Sequence, residues 1–185
     1  MNIEAFQAFF ECCVGNWVTE RTYHYLTYQE VERSRTEFAI APITPDLKQK
    51  VLNDNQYRGA VSELEALPGF HLAFHTVSEK GEEVNQELRM LFVPKQEQAG
   101  VLEGDYLRDR AYEEAKPIIA HFRYGIDHRE LLMTTYYTRV VSIDSIALIN
   151  PSLRIRRILN YQRPLIEGSL DKLLLAGFGV EQKQA

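Results

Sequence analysis

The chain has 185 residues, of which 45% are hydrophobic and 25% are charged, the ordinary mix of a folded globular protein. Its net charge of −5 and the lack of a Lys/Arg-rich run argue against a nucleic-acid partner. No apolar stretch is long enough to span a membrane, and the first residues lack the pattern of a signal peptide. We therefore expect a single domain over residues 1–185, without membrane contact, in a cytoplasm-like compartment.

The first segment of the chain is predicted to form a helix over residues 3–14. Its apolar side chains recur at helical spacing: Ile3, Phe6, Phe9, Phe10, Cys13 and Val14. Cys12 and Cys13 are the only cysteines, so a disulfide framework is excluded, and no Cys/His spacing typical of a zinc site surrounds them. We expect no metal site.

After Gly15 the pattern changes to short segments rich in β-branched and aromatic residues, separated by turn signals. The predicted strands are 16–28, 36–43, 70–78, 84–94, 116–126, 131–142, 145–149 and 153–161. A short helix is predicted over 45–52, with Thr44 as its N-cap. Segment 170–180 is predicted as strand or helix, and the residues after 180 as a disordered tail. This succession indicates an all-β sandwich or closed barrel with the N-terminal helix at one end.

The first candidate site residues lie in the strand predicted at 16–28. Trp17 and Arg21 share one face of this strand, and His24 lies on the other. If the first face points inward, the Arg can bind a carboxylate in bidentate fashion and the Trp offers a stacking surface, which suits an anionic aromatic ligand. The alternative is a structural Trp near the end of the helix and an Arg in a salt bridge at the rim.

Arg154 and Arg156 are two residues apart, so they share one face of the strand predicted at 153–161. Simple binary patterning favours an outward position for both, with Leu153 and Ile155 packed in the core. If the arginines face inward instead, two buried guanidinium groups need anionic partners. A ligand with two carboxylates would provide them.

Asp144 follows the strand that is predicted to end at residue 142. A carboxylate at this position could pair with a cationic ligand nitrogen or move its proton. The alternative is a turn aspartate, which is a common use of Asp. Arg108 lies in the segment 106–114, which mixes aromatic and charged residues and is predicted to be a pocket rim or an ordinary hairpin.

Three motifs, in this order along the chain, resemble those of the S-type (CpcS/CpeS) phycobiliprotein bilin lyases. The first is Gly15-x-Trp17-x-x-x-Arg21-Thr22-x-His24-x-Leu26. The second is Tyr106-Leu107-Arg108-Asp109, followed by Tyr112-Glu113-Glu114. The third is Asn150-Pro151-Ser152-Leu153-Arg154-Ile155-Arg156. Their joint order, more than any one of them, carries the resemblance, which extends from the helix to about residue 159.

The resemblance implies a barrel like those of lipocalins and fatty-acid-binding proteins. It implies that a phycobilin, an open-chain tetrapyrrole, binds noncovalently as the substrate and is passed to a cysteine of an apo-phycobiliprotein as a thioether; no permanent cofactor is implied. Arg154 and Arg156 would hold the two propionates, and Asp144 would be catalytic by balancing charge on the pyrrole nitrogens. Neither cysteine of the chain needs to be a nucleophile.

The resemblance also implies that Trp17, Arg21, His24 and Arg108 contact the bilin. It implies a homodimer, or a heterodimer with a related lyase subunit, in the cyanobacterial cytosol or the stroma of an algal plastid. The chain departs from the family at Ala147-Leu148-Ile149, where members often carry a Trp-Phe pair. Two other functions therefore stay open: a non-catalytic subunit or bilin chaperone of a heteromeric lyase, and a general carrier of hydrophobic ligands.

Overall fold

A computed structural model of the chain describes residues 3–61, 63–109, 116–164 and 168–185. The described residues form two helices and ten strands. In chain order these are α1 (Ile3–Cys13), β1 (Gly15–Tyr25), β2 (Glu30–Pro42), α2 (Pro45–Asp54), β3 (Gly69–Ser78), β4 (Glu83–Gln98), β5 (Val101–Arg108), β6 (Ile118–Gly125), β7 (Glu130–Tyr136), β8 (Val140–Asn150), β9 (Leu153–Gln162) and β10 (Leu173–Lys183). Each strand pairs antiparallel with its neighbours in sequence, and β1 pairs with β10 to close a barrel. The predicted all-β class with an N-terminal helix is confirmed.

Helix α1 plugs one end of the barrel with its apolar stripe. The buried side chains of this stripe are Phe6, Phe9, Phe10 and Cys13. The ring of Phe6 stacks on that of Phe122, with the centroids 5.1 Å apart, and meets Phe92 edge-on at 5.9 Å. Gly15 joins the helix directly to β1 with a backbone φ of +129°, a conformation that residues with a Cβ rarely adopt. The interior at this end of the barrel is therefore filled with aromatic rings.

Helix α2 covers the outside of the barrel over β4 and β5. Thr44 caps it by accepting a hydrogen bond from the backbone N–H of Leu47 at 3.4 Å, as predicted. A second apolar cluster forms between the helix and the barrel wall from Val51, Leu52, Leu91, Val93 and Leu107. Neither α1, with 11 residues, nor α2, with 10, is long enough to cross a membrane, and the described residues contain no further helix that is.

The predicted strand 131–142 is wrong in one respect, because it is two strands, β7 and β8, with a turn at 137–139. The residues of that turn, Tyr137-Thr138-Arg139, include no Gly, Pro, Asn or Asp to signal it. Asp144 consequently lies in the middle of β8 and not after a strand. The segment between the predicted strands 16–28 and 36–43 also belongs mostly to a strand, since β2 begins at Glu30.

The predicted disordered tail after residue 180 is wrong as well. Strand β10 continues to Lys183, and Glu181 is fully buried. Lys183 Nζ donates a hydrogen bond to the carbonyl of Cys12 at 2.8 Å, which ties the last strand to α1. The polar residues at this end of the chain suggested a solvent-exposed segment, but Glu181 and Lys183 both have partners in the folded barrel. The motif residues Tyr112, Glu113 and Glu114 lie outside the described residues.

Candidate functional site

A cavity opens at the end of the barrel opposite α1. Its outer chamber has a volume of about 320 Å³ and is lined by Arg21, Tyr23, Asp144, Arg156 and Asn160, among others. It continues inward to a smaller space of about 70 Å³ beneath α1, which we call the inner chamber; Phe10, Phe92, Tyr106, Arg108 and Arg154 are among its lining residues. The outer chamber alone reaches the lower size limit of small-molecule sites.

Arg154 and Glu181 form a deeply buried ion pair at this site, with side chains 3% and 0% exposed. Nε and Nη2 of Arg154 donate to the same oxygen of Glu181, Oε2, at 2.9 and 2.6 Å. Burial acts to raise the pKa of Glu181, but the positive charges of Arg154, Arg156 and Arg21 outweigh it and hold this pKa below its ordinary value. The pair is therefore charged in the folded protein.

The outward position that binary patterning favoured for Arg154 and Arg156 is wrong. Both side chains point into the barrel, and it is Leu153 and Ile155 that occupy the outer wall. A buried ion pair reverses the usual alternation, because the partner carboxylate replaces water as the ligand of the guanidinium. The partner of Arg154 lies 27 residues further along the chain, on β10, where no local pattern reveals it.

Arg156 is paired with Asp144 across the β8–β9 ladder. Its Nε donates to Asp144 Oδ1 at 2.9 Å, and its Nη2 contacts the second carboxylate oxygen. The two side chains keep 13% and 17% of their surface exposed and line both chambers. Asp144 is thus a cavity residue and not a turn residue, and this bidentate pair is the most accessible charge pair of the chamber wall.

Arg21 shares the carboxylate of Glu181 with Arg154. Its Nη2 lies 3.3 Å from Glu181 Oε1, while its Nε is buried without a hydrogen-bond partner among the residues that the structure describes. Gly179 on the neighbouring strand makes room for it, because a Cβ there would stand 3.0 Å from Arg21 Cγ. Among the described residues of this cluster, three guanidinium groups thus face two carboxylates, which favours an anionic ligand.

Arg108 lies on the far wall of the inner chamber and is 2% exposed. Its Nη2 donates to the hydroxyl of Tyr137 at 2.6 Å, and its guanidinium lies 5.3 Å from the centroid of the Tyr106 ring. Tyr137 lines both chambers, so it stands at the passage between them. Sequence reasoning missed Tyr137 and Glu181; the small residues Gly177 and Gly179, alternating with Glu181 on one face of β10, were the only available signal.

Trp17 and His24 do not lie where a ligand in the outer chamber would meet them. Trp17 is 1% exposed, donates from Nε1 to the carbonyl of Cys13 at 2.9 Å, and lies 4.4 Å beneath the Arg154 guanidinium. This geometry favours the structural alternative for Trp17, although it does share the inner face with Arg21. His24 is exposed on the outer wall, as its parity on β1 requires, and the structure does not bring it to the cavity.

The two cysteines lie at the end of α1. Cys13 is 2% exposed and lines the inner chamber, whereas Cys12 is half-buried. Burial raises the pKa of the Cys13 thiol, although the charge of Arg154 acts in the opposite direction. The thiol is therefore protonated near neutral pH, which disfavours it as a nucleophile.

The fold and the site together define a ligand-binding β-barrel whose cavity suits an elongated, partly apolar anion. Aromatic and aliphatic side chains supply most of the lining, and a small number of charged groups converge on one wall. Such a division fits a ligand with an apolar body and anionic arms.

Comparison with known proteins agrees with this class. Residues 5–184 match the model of a family described as CpeS-like protein. The chain is 60% identical over 181 residues to chromophore lyase CpcS/CpeS 1 of Synechococcus sp. (strain JA-3-3Ab), covering 98% of this chain and 97% of that protein. It is 27% identical over 148 residues to chromophore lyase CpcS/CpeS of Thermosynechococcus vestitus (strain NIES-2133 / IAM M-273 / BP-1), covering 80% and 79%. The chain belongs to the CpeS-like family, and the resemblance seen in its motifs is confirmed.

A solved structure shares the fold. The S-type phycobiliprotein lyase CPES from Guillardia theta superposes with a TM-score of 0.76 at 18% sequence identity, covering 97% of this chain and 93% of that one. At this identity the likeness concerns the backbone architecture, including the closed barrel.

Proposed function

We propose that this protein is a phycobiliprotein chromophore lyase, which binds a phycobilin in its barrel and promotes thioether attachment to a cysteine of an apo-phycobiliprotein. The observation that carries the proposal is the cluster of Arg21, Arg154, Arg156, Asp144 and Glu181 inside a barrel of this family. A phycobilin has two propionates and ring nitrogens that can hold a positive charge. The outer chamber offers a partner for each kind of group.

The propionates are assigned to Arg21 and Arg156, whose guanidinium groups line the outer chamber. Arg21 has a buried Nε that finds no hydrogen-bond partner in the described part of the chain, and Arg156 is held at the chamber wall by Asp144. A hydrogen bond to a charged group contributes about 1.5 to 3 kcal/mol. Nε and Nη2 of Arg154 already bind Glu181, and its guanidinium lies over the ring of Trp17. Arg154 is therefore assigned as a positioning residue, which holds the Glu181 carboxylate in place, and not as a propionate ligand.

Asp144 is the proposed catalytic residue. When a propionate engages Arg156, the carboxylate of Asp144 can turn to a protonated ring nitrogen of the bilin and balance its charge. The acceptor's thiol then adds across the exocyclic double bond of ring A. A sulfur–carbon bond forms, the thiol proton passes to the tetrapyrrole, and no group leaves. The remaining contribution is positioning, which needs no cysteine of this chain.

The other predicted bilin contacts are assigned by their place in the barrel. Arg108 lies in the inner chamber, where it would meet an apolar end of the ligand carrying a polar substituent. Trp17 supports Arg154 from below and acts through it. His24 lies on the outer wall, so we withdraw it from the bilin-binding set.

The protein's partners follow from the same proposal. Phycobilin is its substrate and not a resident cofactor, and the reaction takes place where phycobiliproteins are assembled, in a cyanobacterial cytosol or a plastid stroma. We propose a homodimer or a heterodimer with a related subunit, supported by the exposed Phe178 and Val180 on the outer wall of β10, with Val180 paired to Ile155 of β9. Light scattering on the purified protein measures this; a monomer at micromolar concentration would contradict the homodimer.

The test of the function is a coupled assay with phycocyanobilin and apo-phycocyanin. A lyase yields chromophore that stays on the acceptor after denaturation, above a control without this protein. Uptake of bilin without transfer would identify a chaperone or a non-catalytic subunit. Binding of fatty acids but not of bilin would identify a general carrier.

The proposed catalytic role of Asp144 is tested in the same assay by comparing two variants. Asp144→Asn keeps the shape of the side chain and removes its charge, so transfer should fall about a hundredfold if proton handling limits the reaction. Asp127→Asn changes an exposed turn carboxylate and serves as the matched control. Unchanged transfer with Asp144→Asn would remove the catalytic role from this residue.

A further inference from the structure

Two buried polar atoms that line the outer chamber have no hydrogen-bond partner in the described part of the chain. They are Nε of Arg21, a donor, and Oδ1 of Asn160, an acceptor. Buried polar atoms in folded proteins are nearly always hydrogen-bonded, so each exception asks for an explanation. An unmet donor and an unmet acceptor in one cavity indicate a ligand that supplies both complements.

Asn160 is the last of four inward-facing positions on β9, after Arg154, Arg156 and Ile158. Its ladder neighbours are Ser142 on β8 and Leu175 on β10, and both also line the outer chamber. It is four residues from Arg156, which corresponds to about 13 Å along a strand. The anion-binding point and the unmet amide therefore lie at separate places along one wall.

The two points select for a particular ligand chemistry. A carboxylate satisfies Arg21, but the carbonyl oxygen of the Asn160 amide needs an N–H or O–H donor. A tetrapyrrole carries N–H groups on its rings, and its terminal rings are lactams, whose N–H and C=O match the acceptor and donor of a side-chain amide. A fatty acid offers a carboxylate and no such donor.

We propose that Asn160 is a specificity-determining residue, which accepts a hydrogen bond from a ring N–H of the open-chain tetrapyrrole while Arg21 receives a carboxylate. The proposal rests on the proposed function and adds to it the basis on which the cavity distinguishes a bilin from other apolar anions. A site built to hydrogen-bond its ligand discriminates strongly against analogues that lack the group.

The test compares two probes, biliverdin as an open-chain tetrapyrrole and cis-parinaric acid as a fatty acid, by absorbance and fluorescence titration. Asn160→Leu replaces the amide by an apolar group of similar size and should weaken biliverdin binding about tenfold, equivalent to about 1.4 kcal/mol. Its affinity for cis-parinaric acid should stay equal to the parent's or rise. Asn160→Asp retains an acceptor oxygen and should bind biliverdin within about threefold of the parent.

Gln182→Leu is the matched control, since it replaces an amide by leucine on the outer wall of β10. Asn160→Ala, which only truncates the side chain, replaces Asn160→Leu if the latter fails to fold by circular dichroism, and the same tenfold loss is expected. Unchanged biliverdin affinity in the folded variant overturns the inference and leaves the proposed function intact. A parent that binds cis-parinaric acid but no biliverdin overturns the proposed function, and the inference with it.

Discussion

Charged side chains in the interior of this barrel are tolerated because each carboxylate there is bound by guanidinium groups before a ligand arrives. Glu181 binds Arg154 and Arg21, and Asp144 binds Arg156. Removing one member of such a buried pair is more damaging than removing both, since a lone buried charge keeps the full cost of desolvation. Removal of a positioning residue such as Arg154 should therefore lower stability, whereas removal of a ligand-binding residue such as Arg156 should lower ligand affinity.

Replacing Arg154 with Ala should destabilise the protein by about 3 to 5 kcal/mol, because the buried carboxylate of Glu181 loses its principal partner. Urea unfolding at neutral pH measures the free energy. The double variant Arg154→Met with Glu181→Met should recover much of the loss. Arg35→Ala, in an exposed pair with Glu37, is the control and should change the free energy by less than about 1 kcal/mol. A small effect of Arg154→Ala would contradict the buried pair.

Replacing Arg156 with Ala should weaken phycobilin binding about tenfold or more, since a charge-assisted hydrogen bond of about 1.5 to 3 kcal/mol is lost. Titration with phycocyanobilin, followed by absorbance, measures the affinity. Arg33→Ala removes an arginine whose side chain is 73% exposed and should leave binding unchanged. If Arg156→Ala binds as tightly as the parent, Arg156 has no part in holding the ligand.

At the scale of elements, the two glycines of β10 shape the cavity because they have no side chains. Gly177 and Gly179 face the interior, and the side chains of Tyr23 and Arg21 on β1 occupy the space that Cβ atoms would take. A Cβ at Gly177 would stand 2.8 Å from the ring of Tyr23. Strand β10 therefore pairs with β1 to close the barrel, and its glycines leave the space in which Tyr23 and Arg21 pack.

The variant Gly179→Ala should displace Arg21, because its new methyl group would stand 2.9 Å from Thr19 Oγ1 and 3.0 Å from Arg21 Cγ. Crowding of this kind costs about 1 to 3 kcal/mol. We expect a threefold to tenfold loss of phycocyanobilin affinity in the same titration. Gly125→Ala is the control, since the nearest atom to its Cβ would be 3.9 Å away. Equal affinity in both variants would contradict the role of Gly179.

Ending the chain after Val180 should destabilise the barrel strongly, although the sequence predicted a disordered tail there. The truncation removes Glu181 and the hydrogen bond from Lys183 to Cys12 that ties β10 to α1. Thermal unfolding followed by circular dichroism compares it with a chain that lacks only Ala185. A similar melting temperature for the two chains would be evidence against the buried role of Glu181.

At the scale of the whole molecule, the barrel is closed by the β1–β10 ladder and plugged by α1. The ion pairs of Glu181 lie at this closure, since Arg21 is on β1 and Glu181 on β10. Loss of charge at Glu181 would therefore loosen the closure itself. The partners of Glu181 come from both β1 and β9, so protonation of its carboxylate should lower the free energy of unfolding of the whole barrel.

Stability should fall on acidification below about pH 4.5. The folded pKa of Glu181 is held below its ordinary value of 4.5, so the unfolded chain takes up the proton first. The stabilisation is fully present above that value and is lost as the pH falls through the lower, folded pKa. Urea unfolding at a series of pH values measures it, and the Arg154→Met, Glu181→Met double variant should lose less stability in acid. An equal loss in the two proteins would place the acid sensitivity elsewhere.

The sequence by itself determined the elements that depend on local periodicity and the family that depends on motif order. Helix α1 follows from apolar residues at helical spacing, and the all-β class follows from short β-rich segments between turns. The motifs around Trp17 and Arg154 identified the family without any contact being known.

Only the tertiary structure decided which way the arginines point and what they bind. Arg21 and Glu181 are 160 residues apart in sequence and meet because the barrel closes, so no window along the chain contains the pair. The alternation of residues along β9 favoured a solvent-exposed position for Arg154, because binary patterning treats every charged residue as polar. It contains no information about a buried counterion on another strand. Asn160 likewise became a candidate only when its amide was found in the cavity with an acceptor unmet. Strand periodicity is a local property, whereas the electrostatic balance of a barrel interior depends on side chains from every strand that encloses it.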